Sequence, residues 1–209
     1  IRYDSNSITR ETGNFSGGVP LTNLRIMRVT VHASGTVVKA RINQMRFTTR
    51  GTNNTAPIDK AKIYFTGNNP VFNTNIQFGS DIINPIDTMT FAGNLALNAG
   101  NNFFWLVYDM DGTSISGDSV TAHPVSVTVD GITDSLRVPP PGRRISVAPM
   151  QFVNATCDHP TFATITRGTT QNEMIRLRIN TTTLGSTIQT SSITANNIGS
   201  SNPFIDVDS

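Results

Sequence analysis

Residues 24–49, LRIMRVTVHASGTVVKARINQMRFTT, decide the fold class. Met27, Val29 and Val31 fall on one side of an extended chain, while Arg28, Thr30 and His32 fall on the other. That period-two alternation is the mark of a half-buried strand. A second alternation runs from Val37 to Thr49, and Ser34-Gly35 between the two predicts a hairpin turn. Further along, Ala61, Ile63 and Phe65 alternate with Lys62, Tyr64 and Thr66 before Gly67-Asn68-Asn69-Pro70 stops the run. Met89 and Phe91 mark a short strand, and Leu95 and Leu97 follow Gly93-Asn94. Phe103 to Met110 is apolar on both faces, as a central strand covered on both sides would be. Val125, Val127 and Val129 alternate with Ser126, Thr128 and Asp130, and Asp130-Gly131 turns the chain. Seven or eight short strands at a spacing of roughly ten residues predict an all-β fold, a β-sandwich of Ig-like or jelly-roll-like type.

Composition agrees. Asn, Ser and Thr make up about a third of the 209 residues, and charged residues only 14%, against about 25% in an average domain. Two Glu and three Lys leave few of the residues that populate exposed helices, and no window has a helical period. A net charge of +2 is too small to argue for nucleic acid. No run of about 18 apolar residues exists, which predicts no membrane span. The chain begins at Ile1 without a signal-peptide pattern, as a trimmed secreted product also would. A single cysteine, Cys157, rules out an intramolecular disulfide framework.

Residues 1–136 are expected to form one sandwich, and residues 137–151 an extended linker built on Arg137-Val-Pro139-Pro140-Pro141-Gly142-Arg143-Arg144; an edge segment of the sandwich is the competing reading. An internal repeat follows. Arg28-Val29-Thr30-Val31 with Gly35-Thr36 is echoed by Arg178-Ile179-Asn180-Thr181 with Gly185-Ser186. Thr9-Arg10 recurs as Thr166-Arg167, and Pro57-Ile58-Asp59 is echoed by Phe204-Ile205-Asp206. Residues 152–209 therefore read as an incomplete second copy, whose open strand edges would pair elsewhere, for example in a strand-exchanged homo-oligomer.

Several runs carry a resemblance to a known family. They are Ala99-Gly-Asn-Asn-Phe-Phe-Trp-Leu-Val-Tyr-Asp109, Gly117-Asp118-Ser119-Val120, Val125-Ser-Val-Thr-Val129, Ile58-Asp59-Lys-Ala61-Lys-Ile63-Tyr64-Phe-Thr66-Gly67, and Phe72 with Phe78-Gly79. Together they resemble the repeat domain found ahead of the catalytic propeller in BNR-repeat neuraminidases (sialidases) of Bacteroidetes-type bacteria, which also occurs in tandem in their secreted surface proteins. The resemblance spans about residues 9–131 and, in part, 160–209. It implies secretion or a cell-surface location, a non-catalytic β-sandwich, and a role as spacer, adhesin or carbohydrate-binding accessory. Family members often have Asn where Asp118 stands, and their following loop lacks the Asp-x-Asp-Gly found here.

By residue chemistry the best candidate site is Asp109-Met-Asp111-Gly112-Thr-Ser114-Ile-Ser116-Gly117-Asp118. Asp109, Asp111 and Asp118 offer hard oxygen ligands around a glycine turn, which suits Ca²⁺, although the EF-hand glutamate is missing. The alternative is a polar turn whose Asp and Ser side chains cap their own backbone. For carbohydrate, Tyr64, Lys62 and Tyr108 could line a shallow groove if one sheet face is open; otherwise Tyr108 and Trp105 lie in the core. Arg25, Arg28, Arg41, Arg46 and Arg50 could form a basic patch for sialic or uronic acids, or a solvated outer face. His32, His123 and His159 have no metal spacing. Cys157-Asp158-His159 cannot form a nucleophile–base pair on an extended chain. Four Asn-x-Ser/Thr sequons, at Asn14, Asn53, Asn154 and Asn180, are explained by chance in so Asn- and Thr-rich a chain. No catalytic carboxylate pair, nucleophile elbow or phosphate loop appears, so no enzymatic activity is expected.

Two functions fit this sequence. One is a structural or adhesive repeat of a secreted or cell-surface protein, with glycans or neighbouring domains as partners. The other is a carbohydrate-binding accessory module of a sialidase or another secreted hydrolase.

Overall fold

The computed structural model describes residues 1–36, 39–137, 142–148, 150–158, 175–182 and 189–194. The chain divides into two compact units, residues 1–149 and a second beginning at Met150. Strands are numbered in chain order, and the described residues contain no helix. None is therefore long and apolar enough to cross a membrane.

The first unit is a β-sandwich. One sheet has the order β1 (Arg2–Arg10), β3 (Leu21–Ser34), β8 (Gly100–Met110), β5 (Ile58–Phe65), β6 (Ile82–Ile83). The other has the order β11 (Ile132–Ser135), β10 (His123–Val129), β4 (Arg41–Thr48), β7 (Thr88–Ala96). Their inward residues make one core: Met27, Val29, Ile63, Phe104 and Leu106 from the first sheet, and Ile42, Met45, Phe47, Phe91 and Val127 from the second. Burial of such side chains, at about 25 cal/mol per Å² of apolar surface, is the main drive holding the sheets together. β8 is the central strand expected from its two apolar faces: Asn102 to Met110 are all buried, between β3 and β5. Asp130-Gly131 makes the expected hairpin, pairing Val129 with Ile132, with φ of 48° and 79° at the two turn residues. Positive φ at both positions is what a two-residue turn of this hand demands, and Asp-Gly is among the pairs that supply it.

Three expectations need correction. Ser34-Gly35 does not close a hairpin, because β3 pairs with β1 and β8 whereas β4 pairs with β10 and β7. Both strands have an apolar face, and these faces meet across the core instead of lying side by side in one sheet. Gly93-Asn94 does not separate two strands: it is an extra step in β7, where Ile42 faces Leu95 and Gln44 faces Ala92. Such a bulge lets the ladder continue past one inserted residue. Finally, the segment read as linker is partly strand. β12 (Arg144–Val147) runs parallel to β2 (Gly13–Ser16) and antiparallel to β9 (Ser119–Val120), within the first unit. Ser146 is buried there, and β12 is paired along both of its sides, to β2 and β9, a role that its proline-rich start obscured. Val138 to Pro141 lie outside the described residues.

In the second unit, β13 (Gln151–Asp158) pairs antiparallel with β14 (Arg176–Thr182). This echoes β1 with β3: Arg178–Thr181 sits in β14 as Arg28–Val31 sits in β3, and each pair has a register shift just after an aromatic, Phe152 or Tyr3. Thr166-Arg167, Gly185-Ser186 and Phe204-Ile205-Asp206 lie outside the described residues.

Candidate functional site

The outer face of the five-stranded sheet is built by pairing across β3, β8 and β5. Arg28 stands opposite Trp105 and Trp105 opposite Tyr64, while Arg25 stands opposite Val107 and Val107 opposite Lys62. Residues paired in this way share a face. Tyr64, Trp105 and Val107 form a small apolar cluster there, separate from the core, with Phe72 packed on it. Phe72 meets Tyr64 and Trp105 edge-on, at 6.0 and 5.7 Å between ring centroids. The Trp105 indole N–H donates to Thr66 Oγ1 at 3.2 Å. On the β3 side the arginines roof these rings: Arg28 lies 5.1 Å over Phe103 and 5.4 Å over Trp105, and Arg25 lies 6.0 Å over Trp105. Guanidinium groups favour this placement because a ring face carries negative potential.

At the other end of the face, Lys62 Nζ donates to Asp109 in a close ion pair whose side chains are 14% and 11% exposed. Asp109 Oδ1 also accepts the Asn23 backbone N–H at 2.9 Å, and Asn23 itself turns at φ 57°. Burial works to lower the pKa of the Lys62 ammonium, but the hydrogen bond and charge of Asp109 outweigh it and hold it above the ordinary lysine value.

Of the three residues expected to line a sugar groove, Lys62 and Tyr64 share this face and Tyr108 does not. Tyr108 alternates with Trp105 and Val107 along β8, so its ring points into the core and is fully buried. Its hydroxyl donates to the Thr121 carbonyl at 3.2 Å and lies 3.9 Å from Met89 Sδ of the opposite sheet. Burial raises its pKa well above the usual phenol value. Trp105 takes the place expected of Tyr108, and strand parity was the signal that could have shown it.

The acidic loop does not gather its carboxylates. Asp109 is engaged by Lys62, while Asp111 Oδ1 accepts from Thr113 N–H and hydroxyl, both at 2.8 Å. Asp118 Oδ2 accepts from Ile115 N–H at 2.9 Å and Asn54 Nδ2 at 3.2 Å. Each carboxylate caps a different piece of chain, and among the described residues no three His, Cys, Asp or Glu side chains come together as metal ligands. Gly112, at φ 94°, lets this loop pass close to Val19 and Pro20.

Beside it lies a shallow depression of about 540 Å³ lined by Asn53, Asn54, Thr55, Ala56, Asn84 and Ile86. Asn53 ties it to the loop, donating to Gly117 O and accepting from Ser119 N–H. Sequence reasoning did not find this feature; its signal was the Asn53-Asn54-Thr55 run, read there only as a sequon. Among the remaining candidates, His32 contacts Asp4 at 3.2 Å, Cys157 is exposed on β13, and His159 lies outside the described residues.

No family model and no curated protein matches the chain. Among solved structures, it is similar to a Hadza microbial sialidase, Hz136, with a TM-score of 0.52 at 8% identity. The likeness covers 68% of this chain and 31% of that one. At that identity it shows the fold: this β-sandwich has a counterpart within a sialidase chain.

Proposed function

We propose that the chain is a non-catalytic β-sandwich module of a secreted or cell-surface bacterial protein, acting as a structural spacer or adhesive unit. The observation that carries this reading is how the acidic side chains are used. Asp109, Asp111 and Asp118 hold a lysine, a loop backbone and an asparagine in place, which supports a fold-building role for them. The sandwich counterpart within a sialidase chain, and the resemblance of the β5 and β8 runs to a sialidase-associated repeat, support a role beside another domain. The test assays the purified chain against fluorogenic sialosides and other glycosides, and pulls it by atomic force microscopy. A spacer turns over no substrate and unfolds the first unit in one cooperative event. Turnover abolished by Asp109→Asn or Asp118→Asn would overturn the reading.

A second reading, a carbohydrate-binding accessory module of a sialidase or other secreted hydrolase, is favoured by the arginine-roofed aromatic face on β3, β8 and β5.

A further inference from the structure

We propose that Arg25 and Arg28 form a binding site for a carboxylate-bearing sugar on the outer face of the five-stranded sheet. This rests on the second reading above and supplies its ligand class; the spacer reading stands without it. The two guanidinium groups share one face over the Trp105 ring, and the fold uses them less than it uses Arg10, Arg41 or Arg144. Arg10 donates to Thr121 and Gly142, Arg41 to Asn94 Oδ1 and O, and Arg144 to the Thr12 carbonyl. Arg28 makes one long hydrogen bond, 3.4 Å to Thr9 Oγ1, and has no carboxylate within ion-pair distance among the described residues. Arg25 is 46% exposed at its side chain and reaches Glu11 only at 3.9 Å. A guanidinium carries five N–H donors in a planar fork that matches a carboxylate two at a time.

The rings beneath make that fork rigid. With Phe103 and Trp105 under Arg28, its plane is set before a ligand arrives, which lowers the ordering cost of binding. The nearby lysine adds no competing free charge, because Lys62 is neutralised by Asp109.

Hydroxyls on the same face favour a sugar over an acidic peptide. Thr9 stands opposite Arg28, and Ser7 opposite Thr30, so a short row of hydroxyls runs beside the arginines on β1 and β3. Peptides commonly bind sheets by adding a strand. In this sheet that would occur at its outer strands β1 or β6 and not over the arginines of β3, whose two edges are paired to β1 and β8. What remains is the sheet face itself, with two cationic forks over aromatic rings and hydroxyls beside them, suited to a ligand that brings one carboxylate and several hydroxyls.

The experiment is a calorimetric titration of the full chain with 3′-sialyllactose and with trigalacturonate, against lactose as neutral control and a short poly-glutamate peptide as the acidic alternative. The expected result is saturable binding of at least one acidic sugar with no detectable binding of lactose or the peptide. Preference between the two acidic probes tells a nine-carbon acid from a hexuronate. Arg28→Lys, which keeps the charge and loses the fork, and Arg25→Gln should each weaken binding about tenfold or more. Arg46→Gln, on the exposed face of the other sheet, should leave it unchanged, and thermal melts confirm that each variant folds. Equal binding of lactose, or sugar binding indifferent to Arg25 and Arg28, would overturn this site while sparing the carbohydrate-binding reading. No binding of any sugar would overturn both. Equally tight binding of poly-glutamate would mark a general anion surface and also overturn the site.

Discussion

Replacing Lys62 by methionine keeps the stem of the side chain on the outer face but strips the Asp109 carboxylate of its cation. Asp109 is 11% exposed at its side chain and would keep, among the described residues, only the Asn23 N–H at 2.9 Å. Removing one partner of a sealed ion pair costs about 3–5 kcal/mol. Here the pair retains some solvent and one hydrogen bond, so the expected loss is about 2–3 kcal/mol. For a unit of this size that lowers the melting temperature by about 5–10 °C. Asp109→Asn alone should cost less, about 1 kcal/mol, because the amide still accepts from Asn23 and the flexible Lys62 stem can carry its ammonium to water. The double variant should recover much of the Lys62→Met loss, since no unpaired charge remains. The chain has one tryptophan, Trp105, on the same face, so urea unfolding followed by its fluorescence reports the relevant region. If Lys62→Met lies within about 0.5 kcal/mol of the parent, or the two substitutions simply add, the pair is not the electrostatic tie described.

Alkaline pH should weaken the fold. Burial and the hydrogen bond to Asp134 push Tyr3 up to about 12, burial raises Tyr108, and Lys62 is raised on balance by Asp109. The unfolded chain therefore gives up these protons first, near pH 10, and stability present below that value falls as pH rises towards 12; melts that stay flat from pH 9 to 11.5 would contradict this. Asp118→Ala removes the acceptor for Ile115 N–H and Asn54, and should cost about 1–2 kcal/mol, with faster amide exchange at Ile115 as the readout. Gly112→Ala meets both a φ of 94° and Pro20 atoms at 2.9 Å from the new Cβ, so a loss of about 2 kcal/mol or more is expected in urea unfolding.

Much of the fold was legible because alternation is a local property. The parity of Met27, Val29 and Val31, the double apolar face of Phe103–Met110, and the Asp130-Gly131 turn each state their own geometry without reference to the rest of the chain. Pairing partners were not legible in the same way. Ser34-Gly35 has the chemistry of a hairpin turn, yet whether the next strand returns beside β3 or crosses to the other sheet depends on which apolar faces meet. The candidate site divides along the same line. Parity places Tyr64 and Trp105 on one face and Tyr108 on the other once β5 and β8 are known to be neighbours, and only the fold supplies that fact.

The sequence by itself determined the all-β class, the central strand and the residues available for recognition. Only the tertiary structure decided that Lys62 neutralises Asp109, that the acidic loop caps its own backbone, and that Arg25 and Arg28 lie over the aromatic rings with their forks largely unengaged. Strand alternation is written within a few residues. The charge a side chain meets is set by strands as far apart in sequence as β3 and β8.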